Sequence, residues 1–134
     1  MKSIHAIIGG SLFFLSFAFA ACASPAGTTA YADQLEGIAS YYADDFHGRK
    51  TSSGEVYDMH ALTAAHRTLP FKTIVNVKNL DNGRTIILRI NDRGPFKDNR
   101  VIDISYKAAL ELGMISKGTA PVVIEILELG PPSK

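Results

Sequence analysis

The carboxylate with the strongest case for chemistry is Asp92, which stands where an apolar run ends and a Gly-Pro step follows. A side chain at the end of a buried strand, beside such a bend, is exposed and can reach a substrate. Its nearest cations in the chain are Arg89, Arg93 and Lys97, and we expect them to hold the carboxylate ionised, as a general base requires. The alternative is a turn residue that accepts hydrogen bonds from nearby backbone amides.

Three other titratable side chains are weaker candidates. Glu55 follows a Ser-Gly step in a loop, where a glutamate is usually only solvated. His66 follows an Ala-rich apolar stretch, where histidine is more often a core residue with satisfied nitrogens. Asp103 lies within an apolar strand, so pairing with an arginine or with backbone donors is its simpler role, and a second catalytic carboxylate is the alternative.

Metal and nucleic-acid chemistry have little support in the sequence. His47 and its neighbours Asp44 and Asp45 have no spacing specific to a metal site, so we expect neither a metal nor an organic cofactor. The formal net charge is +1, and removing residues 1–21, which contain one basic and no acidic residue, lowers it to 0. Nucleic-acid binding requires a more basic surface. Five basic residues still cluster within a short stretch, as a solvated face or as the lining for a polymer with carboxylates: Arg84, Arg89, Arg93, Lys97 and Arg100.

The elements that must position these residues are mostly short strands. Periodicity and turn residues predict strands over 37–43, 73–79, 84–90, 101–104 and 122–129, with Asp81-Asn82-Gly83 as a tight hairpin turn in which both central residues tolerate positive φ. Apolar residues at 86, 87 and 88 in succession indicate a strand buried on both faces. Ser105 is expected to cap a helix over 106–112 that stops at Gly113.

The N-terminal segment is typical of an exported protein. Residues 6–20 form an uncharged apolar run that is short for a membrane span, which is the alternative, and small residues close it. Cys22, the only cysteine, excludes an internal disulfide and follows the run as in a bacterial lipobox, which predicts a lipid anchor; cleavage after Ala20, leaving a free thiol, is the alternative. We therefore predict a lipoprotein signal peptide over 1–21, a tether over 22–36, a domain over 37–129 and a tail over 130–134.

Seven blocks of the sequence together resemble the RlpA-like (rare lipoprotein A) family. They occur in order: Ala39-Ser40-Tyr41-Tyr42, Phe46-His47-Gly48-Arg49, Thr51-Ser52-Ser53-Gly54-Glu55, Leu62-Thr63-Ala64-Ala65-His66, Thr68-Leu69-Pro70-Phe71, Asn91-Asp92-Arg93-Gly94-Pro95-Phe96 and Arg100-Val101-Ile102-Asp103-Ile104-Ser105. The resemblance implies a mainly β fold, a six-stranded double-psi β-barrel with one or two short helices. It also implies lytic transglycosylase activity on peptidoglycan, with a preference for strands that lack stem peptides.

The resemblance also suggests roles for individual residues. Asp92 matches the acid/base position, and Glu55 and His66 match positions that line the same groove, so all three are predicted to be catalytic. We expect the substrate contacts to come from Tyr41, Arg49, Arg93 and Asp103. The nucleophile would be the muramoyl C6 hydroxyl of the substrate, so a second carboxylate at hydrolase spacing is not required.

The expected partners are peptidoglycan glycan strands and, through lipidated Cys22, a membrane; we expect a monomer with no nucleic-acid partner. Ala23 after the cysteine favours the outer membrane facing the periplasm, with a secreted or soluble periplasmic protein as the alternative. Two rival functions remain open. One is a non-catalytic wall binder, as in expansin-like barrels, and the other is a structural envelope lipoprotein. The chain has no room for a C-terminal SPOR domain, so we do not expect septal targeting by that route.

Overall fold

The computed structural model describes residues 35–132. Six strands, one α-helix and one 3₁₀ turn follow each other: β1 (Leu35–Tyr41), the 3₁₀ turn (Asp44–Phe46), β2 (Thr63–Ala65), β3 (Ile74–Asn79), β4 (Thr85–Asp92), β5 (Arg100–Ile104), α1 (Tyr106–Leu112) and β6 (Thr119–Glu128). The predicted strands are all present, and the short 61–65 segment, which has no clear period, supplies β2. β1 begins at Leu35, so its first two residues belong to the segment predicted as tether.

The six strands close into a barrel in the order β1-β5-β2-β4-β3-β6. Two pairs are parallel, β1 with β5 and β2 with β4, and the other pairs are antiparallel. Parallel neighbours require crossover connections rather than hairpins. Neither parallel pair is consecutive in the chain; the segment from β1 to β2 passes β5, the segment from β4 to β5 passes β2, and both carry polar residues of the candidate site. The mainly β, six-stranded prediction is confirmed.

The interior of the barrel is filled by alternate residues of the strands. Valine and isoleucine side chains from β3 to β6 are fully buried: Val75, Val77, Ile90, Ile102, Ile104, Val122 and Ile124. The prediction that β4 is buried on both faces is wrong, because Ile87 is 55% exposed while Ile86 and Leu88 point inward. A closed barrel of this size has only one covered face, so a strand in it alternates even where its sequence does not.

The β3–β4 connection also differs from the prediction. Asn79 N–H donates to Arg84 O and Gly83 N–H donates to Asn79 O, so four residues rather than two span the turn. Only Gly83 has a positive φ, of 75°, and Asn82 does not share it. Asn82 is held instead by its side chain, whose Nδ2 donates to Leu112 O at 2.8 Å. A contact with the end of α1 thus selects a longer loop than the local Asn-Gly signal favours.

Helix α1 matches the prediction at both ends. Ser105 Oγ accepts from Ala108 N–H at 3.2 Å, and Gly113 ends the helix in the left-handed region with φ 69°. Gly113 N–H donates to Leu110 O and to Ala109 O. Ala108, Ala109 and Leu112 pack against the barrel.

Several predictions concern residues outside the described range. The signal peptide, most of the tether and Cys22 precede Leu35, so the structure does not test them. Between Leu35 and Pro132, no helix is long and apolar enough to cross a membrane.

Candidate active-site groove

One end of the barrel carries a groove of about 690 Å³. Its lining comes from β1, the 3₁₀ turn, the end of β4 and the start of β5, and includes Tyr41, Tyr42, Arg49, Asp92, Arg93 and Asp103. The strand register explains why Asp92 and Asp103 both line this groove. Ala65 of β2 pairs with Asp92 of β4 on one side and with Asp103 of β5 on the other.

Asp92 is the last residue of β4, as predicted, and its carboxylate accepts three hydrogen bonds. Tyr42 Oη donates to Oδ2 at 2.6 Å, and the backbone N–H groups of Ser52 and Arg93 each donate to Oδ1 at 2.8 Å. Burial raises the pKa of Asp92, but these hydrogen bonds lower it by more, so the pKa lies below its usual value. The carboxylate is therefore ionised at neutral pH.

The reason for that ionisation differs from the prediction. We expected Arg89, Arg93 and Lys97 to hold Asp92 ionised, but no ion pair of Asp92 occurs among residues 35–132. The donors are a phenol and two backbone amides. Arg89 instead pairs with Glu55, with Nη1 at 2.7 Å from Oε1. Strand geometry explains the difference, since Arg89 lies three residues before Asp92, and successive strand residues face opposite sides.

Tyr42 is a site residue whose role the sequence did not reveal. Its ring packs on Tyr57, with centroids 4.5 Å apart, and lies edge-on to Phe46 at 6.0 Å. Burial raises the pKa of Tyr42, and the hydrogen bond to Asp92 raises it further, so the phenol keeps its proton and donates it.

Glu55 anchors the loop that brings Ser52 to Asp92. Both carboxylate oxygens accept from Arg89 Nη1, and Oε2 also accepts from Asn91 Nδ2 at 3.0 Å. These hydrogen bonds lower the pKa of Glu55, that from Arg89 most. The loop is closed by Thr51 N–H donating to Glu55 O at 2.7 Å. Glu55 is not among the residues that line the groove, and its catalytic role remains a prediction.

His66 is buried behind the same strands. Its Nδ1 accepts from the backbone N–H groups of Thr68 and Leu69 at 3.2 and 3.1 Å, so the proton of the neutral ring is on Nε2. Burial lowers the pKa of His66, and the charges of Arg93 and Arg67 lower it further. Its backbone N–H donates to Asp92 O at 3.1 Å. His66 thus fixes the main chain at Asp92 and, like Glu55, does not line the groove.

Arg93 lines the groove, but its guanidinium is already engaged. Cζ lies 4.0 Å from the centre of the Phe71 ring, and Nη1 donates to Leu69 O and His66 O at 2.8 and 3.2 Å. Stacking and two hydrogen bonds account for this side chain without a ligand. Its contact with a substrate remains a prediction.

The other predicted substrate contacts differ in how free they are. Tyr41 packs near Tyr106, and its hydroxyl donates to Ile115 O at 3.3 Å. Arg49 is exposed, with Cζ 5.3 Å from the centre of the Phe46 ring. Asp103 is half-buried, and its Oδ1 accepts from Ser40 Oγ. The groove therefore brings Asp92 together with Arg49 and Asp103.

The lining also includes residues for which the sequence predicted no substrate contact, among them Ser40, Lys50 and Phe96. Lys97 and Arg100, the latter the first residue of β5, belong to the basic cluster that the sequence offered as a lining for a polymer with carboxylates. No set of three or more metal-binding side chains is clustered within residues 35–132.

The six-stranded closed barrel with this strand order places the protein in the double-psi β-barrel class, and the groove at one end contains the carboxylate of Asp92. The family model described as "Lytic transglycolase" matches residues 34–124, and the chain belongs to this family, whose double-psi β-barrel fold it has. The RlpA-like resemblance is thereby confirmed. Among curated relatives, the endolytic peptidoglycan transglycosylase RlpA of Campylobacter jejuni is 54% identical over 101 residues, which cover 75% of this chain and 37% of the relative.

A second relative shows the same partial coverage. The probable endolytic peptidoglycan transglycosylase RlpA of Treponema pallidum is 61% identical over 89 residues, which cover 66% of this chain and 28% of the relative. The chain thus matches about a third of the length of these relatives.

Two solved structures share the fold at low sequence identity. The Streptomyces papain inhibitor superposes with a TM-score of 0.59 at 22% identity, covering 72% of this chain and 96% of the inhibitor. The apo expansin of Clavibacter michiganensis superposes with a TM-score of 0.58 at 15% identity, covering 75% of this chain and 52% of the expansin. At these identities the likeness shows the barrel fold alone.

Proposed function

We propose that the domain is a lytic transglycosylase that cleaves the bond between N-acetylmuramic acid and N-acetylglucosamine in peptidoglycan. The observation that carries the proposal is Asp92, which is held by Tyr42, Ser52 and Arg93 and lines the groove. Curated relatives with 54% and 61% identity carry the name of this activity, which supports the assignment.

The reaction requires Asp92 to act first as an acid and then as a base. The protonated carboxyl gives its proton to the glycosidic oxygen, the bond to C1 of the muramoyl residue breaks, and an oxocarbenium-like centre develops. The carboxylate then takes the proton of the C6 hydroxyl as O6 bonds to C1, which closes a 1,6-anhydro ring. No water is consumed, and Asp92 ends protonated.

The lowered pKa of Asp92 fits the second step better than the first. Glycan that fills the groove displaces water, and the resulting desolvation favours the protonated form that the first step uses. Glu55 and His66 act on this cycle indirectly. Glu55 holds the loop of the Ser52 amide, and His66 holds the backbone of Asp92.

The charges of the groove support a preference for glycan strands without stem peptides. Besides Arg93, its lining contains four cations, Arg49, Lys50, Lys97 and Arg100, against two carboxylates, Asp92 and Asp103. Removing the stem peptide frees the lactyl carboxylate of each muramoyl residue. A cationic groove then attracts the strand along its length.

The test is mass spectrometry of products after the purified protein is incubated with intact and with amidase-treated sacculi. We expect 1,6-anhydromuramoyl ends, more of them from amidase-treated sacculi, and loss of at least about 10²-fold in rate for Asp92→Asn. The matched control is Asp98→Asn, an exposed aspartate outside the groove lining, which should cleave as wild type does. Reducing ends would instead indicate hydrolysis, and binding without products would indicate an expansin-like wall binder.

We further propose that the protein is a monomeric lipoprotein of the cell envelope, anchored through Cys22 in the outer membrane and facing the periplasm. Support comes from the apolar run before Cys22 and from Ala23 after it. Labelling with a fatty-acid analogue, followed by membrane fractionation, should place label on wild type and none on Cys22→Ser. Label-free wild-type protein in the periplasmic fraction would contradict the anchor.

A further inference from the structure

Phe96 is the most exposed of the large hydrophobic residues in the described part of the chain, at 85%. It follows the Gly-Pro step after Asp92 and lines the groove. A single exposed hydrophobic residue is ordinary on a protein surface. Phe96 suggests a binding site because of the residues that lie beside it in the groove.

Asp103 offers a free hydrogen-bond acceptor in the same groove. Ser40, itself buried, donates its hydroxyl hydrogen to Oδ1, which fixes the carboxylate on β5. Within residues 35–132, no donor reaches Oδ2, and Asp103 makes no ion pair although Lys97 and Arg100 line the same groove. A carboxylate oxygen in this state can accept from a ligand.

Gly94 lies within contact distance of both groups and also lines the groove. Its φ is 128°, a conformation that L side chains rarely adopt, so glycine is required there. The position that a Cβ on Gly94 would occupy is 3.5 Å from Phe96 Cε2 and 3.9 Å from Asp103 Oδ2. An aromatic ring and a carboxylate oxygen therefore border one small space, two residues from Asp92.

We propose that Phe96, Gly94 and Asp103 form a subsite for one pyranose ring of the glycan, next to the bond that Asp92 cleaves. A pyranose has an apolar face of C–H groups and an edge of hydroxyl and amide donors. The Phe96 ring takes the face, Asp103 Oδ2 accepts from the edge, and Gly94 supplies the backbone conformation that brings Phe96 beside Asp103. The identity of the sugar rests on the proposed function, but the position of the Phe96 ring beside the acceptor Asp103 Oδ2 does not.

The experiment measures glycan affinity in the full chain carrying Asp92→Asn, so that turnover does not consume the ligand. The probes are glycan strands from amidase-treated sacculi and the neutral N-acetylglucosamine hexamer, measured by calorimetry. In this background, Phe96→Ala and Asp103→Asn should each weaken binding of both probes about tenfold, the effect of one lost contact. Phe96→Trp should restore the affinity, because it returns an aromatic face.

The matched control is Ile87→Ala, which removes an exposed hydrophobic side chain from the outer face of β4, outside the groove lining. It should bind as the parent does, and thermal unfolding should show that all variants fold. Affinities for Phe96→Ala and Asp103→Asn equal to that control would overturn the subsite, as would a parent that binds neither probe.

The result can be separated from the fate of the proposed function. Affinity losses in Phe96→Ala and Asp103→Asn, together with no anhydro product from wild type, would keep the sugar subsite and reject the transglycosylase. Normal anhydro products from wild type, together with unchanged affinity in both variants, would keep the enzyme and reject the subsite.

Discussion

Asp92 receives hydrogen bonds from residues 50 and 40 positions away as well as from its own neighbour. Such a carboxylate is controlled by how the chain is folded, and no local pattern of charges reveals it. The local cations that the sequence offered are engaged elsewhere, Arg89 with Glu55 and Arg93 with backbone carbonyls. The proton affinity of Asp92 therefore depends on neutral donors, of which the Tyr42 hydroxyl can be removed by substitution without changing net charge.

Tyr42→Phe should raise the pKa of Asp92. The variant keeps the ring that packs on Tyr57 and removes only the hydroxyl that donates to Oδ2 at 2.6 Å, so the ionised form loses stabilisation. Carbon-detected NMR titration of the Asp92 carboxyl measures the shift directly. In a transglycosylase assay, the fall of kcat/KM with rising pH should move to higher pH, because the protonated acid persists further.

The matched control for this titration is Tyr41→Phe, whose hydroxyl donates to Ile115 O instead. It should leave the Asp92 titration where it is in wild type. Equal titrations for Tyr42→Phe and wild type would mean that the phenol does not control this carboxylate.

At the scale of elements, the loop around Glu55 works as a support for the Ser52 amide. Glu55→Ala frees Arg89 and Asn91 and releases the loop from β4. We expect the Ser52 amide to exchange with solvent faster and turnover to fall roughly tenfold or more, since a displacement of about 1 Å near the reaction costs on the order of 10²-fold. The free energy of unfolding should change by only about 1 kcal/mol, because the pair is part-exposed.

Hydrogen exchange with site-resolved NMR and the product assay check this prediction. The chain supplies a matched ion pair away from the groove, Lys117 with Asp81 at 3.3 Å. Asp81→Ala should alter neither Ser52 exchange nor turnover. Normal Ser52 protection in Glu55→Ala would show that the ion pair is incidental to the site.

Helix α1 gives a stability prediction. Ser105 Oγ accepts from Ala108 N–H and donates to Ala61 O at 2.5 Å, and the side chain is buried. Ser105→Ala should lower the free energy of unfolding by about 2 kcal/mol, from the lost cap and the unpaired carbonyl. Urea unfolding measures it, with Ser116→Ala, an exposed serine, expected to stay within about 0.5 kcal/mol of wild type. A smaller effect at Ser105 than at Ser116 would exclude a capping role.

Local signals predicted the elements well and their contacts poorly. Helix α1 is predictable because its two ends are coded by residues within the helix or next to it, Ser105 and Gly113. The prediction of a tight turn between β3 and β4 was wrong, because the side-chain amide of Asn82 donates to the carbonyl of Leu112, thirty positions away. The predicted burial of Ile87 was wrong, because the exposure of this residue depends on how the barrel closes, which hydropathy does not encode.

The candidate site divides in the same way. The position of Asp92 at a strand end follows from the sequence, whereas the nearness of His66 to it was expected only from the family resemblance. That Ala65 pairs with both Asp92 and Asp103 follows only from the strand order, which no periodicity contains. The residues whose roles were missed, Tyr42 and Phe96 above all, contact the groove through that order.

At the scale of the whole molecule, three groups have lowered pKa values, Glu55, His66 and Asp92, and all three make the protein less stable as the pH falls. The pKa values of Glu55 and Asp92 are lowered on folding, so their stabilisation is complete above the unfolded values of about 4.3 and 3.9 and is lost as the pH falls through the folded values. The pKa of His66 is lowered by burial. The unfolded chain therefore binds a proton at His66 first, as the pH falls below about 6.5.

The free energy of unfolding should thus fall in two steps on acidification, the first from His66 and the second from the two carboxylates. The slope is positive wherever the unfolded state holds more protons, and one group contributes at most about 1.4 kcal/mol per pH unit. Urea unfolding from pH 8 to about pH 2 measures both steps, because the carboxylate step lies below the unfolded values of about 4.3 and 3.9. His66→Gln should remove the first step and keep the second, because glutamine cannot take up the proton that the unfolded histidine binds. His60→Gln, at an exposed position, should keep both steps. A first step that survives in His66→Gln would mean that another group links folding to protons near pH 6, and the buried, neutral His66 would then have no part in the acid sensitivity of the barrel.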